Sequence, residues 1–99
     1  MFCVVRKYRV RPDAKEQAVE KAEKHYVDVV SDSPGFVGFY VVNEDEAVLT
    51  ISLFQTQAES EASNAKAAHF VREHLAGLVE GPLEVVQGPI YVSKVAEAK

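Results

Sequence analysis

Four stretches of this chain are apolar at successive positions, yet it has only two helical segments to cover them. Residues 2–5, 36–42, 48–54 and 83–92 carry β-branched and aromatic side chains on both parities, the mark of strands buried on both faces. Two helices cover one face of a sheet. The other face then requires a second sheet, most simply that of an identical subunit, so a homodimer joined through the sheet face is expected.

At 99 residues, 47% hydrophobic and 26% charged, the chain has an ordinary folded composition and a length that buries roughly two-thirds of its unfolded surface. One domain over residues 1–95 and a loose tail over 96–99 are expected. The net charge of −4 offers no positive field to a phosphate backbone, which argues against nucleic acid. The basic cluster Arg6, Lys7, Arg9 and Arg11 is short and lacks a stacking platform, so it reads as solvated edge charge. Cys3 is the single cysteine and reads as a small core residue. No apolar run approaches a membrane span, and the first residues lead into a strand instead of a signal peptide, so no membrane is expected and the default compartment is the cytoplasm.

Pro12 and Asp13 break the first strand and open a helix, with Glu16 at capping-box spacing from Asp13. That helix is expected to run to about Ser31, with Ala14, Ala18, Ala22, Tyr26 and Val29 on its inner stripe, and Ser33-Pro34-Gly35 ends it. Asn43-Glu44-Asp45-Glu46 forms a polar hairpin between the second and third strands. Thr56, with Glu59 three places on, caps a second helix expected to reach about Val79, where Gly81-Pro82 stops it. Ser63-Asn64 are weak helix-interior residues and admit a kink there. The order strand, helix, strand, strand, helix, strand predicts an α+β, ferredoxin-like split βαβ-βαβ sandwich, a four-stranded antiparallel sheet with two helices on one face.

A wheel of the second helix places Ser60, Asn64, Ala67, Ala68, Val71, Leu75 and Leu78 in its inward sector. An inward Asn64 either bonds a neighbouring backbone group or projects into space left by Ala67 and Ala68, because an unpaired buried amide costs on the order of 1–3 kcal/mol. His69 falls on the charged outer side with Lys66, Arg72 and Glu73. His74 lies at the flank of the buried sector, one turn after Phe70, where an imidazole titrates near neutrality or packs its ring at the edge; His25 beside Tyr26 is similarly placed. In the strands, Tyr40, Thr50 and Ser52 interrupt apolar runs, and Thr50 and Ser52 share a face with Phe54. Such hydroxyls either pair locally or line a pocket.

No metal site is legible. His69 and His74 stand five apart on a helix and no HxxxH or cysteine partner occurs. Gly35-Phe36-Val37-Gly38 enters a strand with no helix after it, unlike a phosphate loop. Glu44, Asp45 and Glu46 occupy a solvent-facing turn, and there is no GxSxG elbow.

The string Ser33-Pro34-Gly35-Phe36-Val37-Gly38, then Leu49-Thr50-Ile51-Ser52-Leu53-Phe54-Gln55-Thr56, then an alanine-rich second helix resembles the antibiotic biosynthesis monooxygenase family of dimeric α/β barrels, over nearly the whole chain. The resemblance implies sheets paired across a two-fold axis into a barrel with the helices outside. Activities among such relatives include cofactor-independent oxidation of polycyclic phenols to quinones, haem degradation and autoinducer turnover. Haem-degrading relatives use an asparagine on strand one, a tryptophan on helix two and a histidine ten residues later. Here His74 stands ten residues after Asn64, but the chain has no tryptophan and strand one no asparagine, so haem degradation is disfavoured, while haem binding through His74 stays open.

The resemblance therefore implies a monooxygenase without cofactor, acting on a small aromatic or phenolic substrate between helix two and the sheet. Asn64 would hold the developing oxyanion and His74 act as base, with Ser60, Tyr26, Tyr40, Ser52, Phe54 and Phe70 lining the pocket. The residues alone do not demand chemistry. A non-catalytic ligand binder and a structural homodimer of the same fold remain as alternatives, told apart by whether a cavity reaches the inward polar groups.

Overall fold

Strand parity decides the layering. On β1 (Phe2–Val10) the even positions Phe2, Val4, Arg6, Tyr8 and Val10 are buried while Cys3, Val5 and Lys7 are half-buried. On β3 (Ala47–Phe54) Val48, Ser52 and Phe54 are buried on the same side, in register with Tyr8, Val4 and Phe2. The computed structural model describes residues 1–96. With β2 (Phe36–Glu44) and β4 (Val79–Pro89) the strands form one antiparallel sheet in the order β2-β3-β1-β4, the expected split βαβ-βαβ arrangement.

One face of this sheet is covered by two helical rods. The first joins α1 (Lys15–Lys21), a π-helical segment (Ala22–Tyr26) and α2 (Val27–Ser31); the second is α3 (Gln57–His74). Their core couples Ala14, Ala18, Ala22, Tyr26 and Val30 with Ala67, Phe70 and Leu75 over Tyr8, Val10, Val48 and Phe54. Tyr26 stands edge-on to Phe39 at 5.2 Å and tilted to Phe70 at 5.0 Å, geometries that aromatic quadrupoles favour. The opposite face carries Val5, Leu49, Ile51 and Leu53 with the more exposed Tyr40, Val42 and Val86, and nothing from the described residues covers it.

Several local expectations are corrected. The inner stripe of the first rod ends at Val30, 1% exposed, and not at Val29, 43% exposed, because the π segment delays the helix phase. The Asp13 capping box does not form; Ala14 precedes the helix without a side-chain cap, and Asp13 pairs with Arg11 at 3.5 Å. Thr56 does cap α3, accepting from the Glu59 amide at 3.2 Å while donating to its carboxylate. α3 runs unbroken through Ser63 and Asn64 and stops at His74, not Val79, because Gly77 takes the left-handed φ of +81° that reverses the chain. Gly81 and Pro82 therefore fall inside β4, where the register against β1 jumps between Lys7 and Arg9; an edge-strand irregularity accommodates a proline that donates no ladder bond. β4 ends at Pro89 instead of Val92. The tail expected over 96–99 lies, apart from exposed Ala96, outside the described residues. Cys3 points to the uncovered face and not into the core; partial burial pushes its thiol up.

Candidate functional site

The helix-covered face is not uniformly apolar, and its exception is Arg6. It sits mid-strand at an inward position, between Thr50 on β3 and Val85 on β4, and is only 8% exposed. Its Nη2 donates to Asn64 Oδ1 on α3. The solvated basic edge expected from the sequence is thus split by parity. Lys7 turns outward, where it pairs with Glu44 at 3.3 Å, while Arg6 goes under the helix. Ion pairs among the described residues join Lys7 to Glu44, Arg11 to Asp13 and Lys24 to Glu20, and none includes Arg6. A guanidinium carries five donors: one meets the Asn64 oxygen, and the remaining nitrogens keep some solvent access, since none of them is among the buried polar atoms left without a partner.

Two spaces meet at this residue. Between the rods and the sheet lies a cavity of about 50 Å3 walled by Ala22, Tyr26, Phe39, Val41 and Phe70, with Thr50 and Ser52 adding aliphatic hydroxyls to the phenols of Tyr8 and Tyr26. Between α3 and β4 opens a groove of about 380 Å3 lined by Arg6, Tyr8, Asn64, Ala68, Arg72 and Gln87. Arg6, Tyr8, Ala67 and Val71 border both and form the wall between them. The groove holds two arginines and no carboxylate among the described residues, although acidic residues outnumber basic ones 15 to 11 in the chain.

The phenols of Tyr8 and Tyr26 stand near this charge. Burial pushes both upward from the ordinary tyrosine value, and the Arg6 cation draws both partly back. Ser52 and Ser60, 2% and 1% exposed, have hydroxyl oxygens without a hydrogen-bond partner among the described residues. Ser52 belongs to the cavity lining, where a hydroxyl can orient a ligand.

α3 is rolled relative to the expected wheel. Its buried residues are Ser60, Ser63, Ala67 and Phe70, a sector turned roughly 65° from the anticipated one at 100° per residue. Phe70 is the cause: burying its ring against Tyr26 outweighs burying Asn64 or Ala68, which move to the exposed flank facing β4. His74 goes to the other flank, its ring stacked on His25 with centroids 4.7 Å apart and planes at 10°, and tilted against Phe70 at 5.1 Å. It lines a separate groove with His25, His69 and Lys66, and His69 is exposed as expected. Asn64 and His74 therefore do not converge on one space.

The remaining sequence-named residues divide in the same way. Tyr26, Ser52 and Phe70 line the cavity. Phe54, 0% exposed, is core, and Ser60 is buried under the start of α3. Tyr40 lies on the uncovered sheet face, 55% exposed and paired with Ile51, so it belongs to neither space. Arg6, Arg72 and Gln87 were not anticipated. The signal for Arg6 was present, since it shares its parity with Val4, Tyr8 and Val10. No group of three potential metal ligands occurs among the described residues, nor is any helix there long and apolar enough to cross a membrane.

The model of the antibiotic biosynthesis monooxygenase family matches residues 1–74. Among solved structures, a protein of unknown function from Nitrosomonas europaea superposes with a TM-score of 0.80 at 11% identity, covering 98% of this chain and 95% of that one. A MhuD variant with two manganese protoporphyrin IX bound per active site gives 0.75 at 20% identity, covering 97% and 100%. A monooxygenase from the ActVA-Orf6 gene of Streptomyces coelicolor, in complex with Nanaomycin D, gives 0.72 at 18% identity, covering 97% and 92%. At such identities these likenesses show the fold alone. Among curated proteins none matches the chain.

Proposed function

We propose a function on one premise: the chain belongs to the antibiotic biosynthesis monooxygenase family. It oxidises a small phenolic or aromatic substrate with dioxygen and no cofactor. One oxygen atom enters the ring as a quinone carbonyl, the other leaves as water, and the substrate supplies all four electrons. The observation that carries this reading is the meeting of an apolar cavity with a polar groove at Arg6 and Asn64. The ring body has room in the groove of about 380 Å3, with one edge turned toward the apolar cavity, which at about 50 Å3 is too small to take a ring, while its oxygen meets the donors at the wall. Asn64 holds the developing oxyanion. Of the two groups first paired as catalytic, His74 is left to pack against His25 and Phe70, since it opens on another groove.

The outer sheet face is assigned to a second copy of the chain, giving the two-fold barrel. The neighbours that hold a porphyrin and Nanaomycin D in the same fold support a small-molecule ligand here. Oxygen consumption with a panel of polycyclic phenols tests the oxidation. Asn64→Ala is expected to lower kcat/KM by about 10²-fold, the scale of one oxyanion donor, and His74→Ala to leave it within about threefold of wild type. Ligand binding that protects the protein from heat without oxygen uptake would favour the non-catalytic binder.

A further inference from the structure

Arg6 presents a built cationic site whose counter-ion is not part of the described chain, and we infer that the groove between α3 and β4 takes an aromatic carboxylate. The inference rests on the proposed function only in placing the ligand at the same wall. Arg6 is more than nine-tenths buried, spends one donor on Asn64, and meets no carboxylate among the described residues. A second guanidinium, Arg72, and the amide of Gln87 line the same groove. Every one of these groups donates, and Arg is charged at any pH at which the fold exists.

A phenol alone is a poor match. It arrives neutral at pH 7 and leaves the guanidinium unneutralised. A carboxylate arrives charged, accepts two parallel N–H bonds from an arginine fork, and carries its ring toward the apolar cavity behind Arg6, which Ala67 and Val71 also border. The groove volume of about 380 Å3 lies within the range of small-molecule sites, roughly 300–1,000 Å3. The ligand is therefore a ring system bearing a permanent anion, which in an oxygenase makes the carboxylate the positioning group and leaves the ring for oxidation.

The test is calorimetric titration at pH 7 with 2-naphthoate and its uncharged methyl ester. On the wild-type chain naphthoate is expected to bind at least about tenfold more tightly than the ester, as a charge-assisted fork predicts. Arg6→Gln should bring the two within about twofold, and Arg72→Gln, at an exposed position, should narrow the gap partially. Equal binding of acid and ester by wild type, binding of neither, or a gap that survives Arg6→Gln overturns the inference. Should Arg6→Gln fail to fold, the ligand pair on wild type and on Arg72→Gln still decides. Oxygen uptake with phenols is scored separately. A preserved acid preference without turnover overturns the oxygenase reading alone, and turnover without acid preference overturns the carboxylate site alone.

Discussion

Removing the Arg6 charge should make the free protein more stable. Arg6→Met keeps most of the side-chain length and ends the burial of a cation that has one amide oxygen for a partner; exchanging buried charge for apolar volume is worth roughly 1–4 kcal/mol in favourable cases. A rise in the urea midpoint at unchanged slope would show it, and a fall would mean that the guanidinium is better satisfied than its contacts indicate. Tyr26 makes the complementary case. Its folded-state pKa is raised by burial against the opposing pull of Arg6, so its contribution to stability is complete below the ordinary tyrosine pKa near 10 and is lost as pH rises from there through the raised folded value. Unfolding measured between about pH 8 and 11.5 should show that loss, and Tyr26→Phe should flatten it while changing little at pH 8. These residues were only half legible in advance. Tyr26 announced itself through helical spacing, whereas Arg6 was masked by Lys7, Arg9 and Arg11, whose shared charge hid the alternation that separates them.

The first helical rod shows what spacing alone reveals about an element. Ala14, Ala18, Ala22, Tyr26 and Val30 recur at every fourth residue, and a regular helix of about 3.6 residues per turn cannot keep such a series on one line. The π segment Ala22–Tyr26 absorbs the mismatch by winding more slowly. An α-helical wheel takes Val29 as the inner residue for that reason. Val30→Ala is therefore expected to cost about 2 kcal/mol by lost burial plus cavity, near 10 °C in melting temperature for a domain of this size, and Val29→Ala less than about 0.5 kcal/mol. Reversed costs would contradict the slow turn. The same logic explains the roll of α3. Strand and helix order, the Thr56 cap and the βαβ-βαβ topology follow from local pattern. The angular position of a helix does not, because it depends on which large side chain, here Phe70, wins the space over the sheet.

For the whole molecule the open question is the sheet face away from the helices. Val5, Leu49, Ile51 and Leu53 form its centre, flanked by Tyr40, Val42 and Val86, which are 55%, 43% and 58% exposed. Toward one end Lys7 and Glu44 pair as a polar margin. An apolar centre with a charged margin is the anatomy of an interface, and a contiguous patch of this kind is unusual on a protein that stays alone. The proposed dimer also separates two roles. Because α3 and β4 shape the groove from the other side of the sheet, breaking the pairing should remove stability before it removes the arginine site. Ile51→Lys puts an ammonium at the centre of the patch, where pairing two copies would bury like charges together. Light scattering at micromolar concentration should then fall from twice the chain mass of 10.9 kDa to that mass itself, with a lower melting temperature that no longer depends on concentration. A wild-type chain already at the single mass would remove the sheet-to-sheet dimer and leave that face needing another cover.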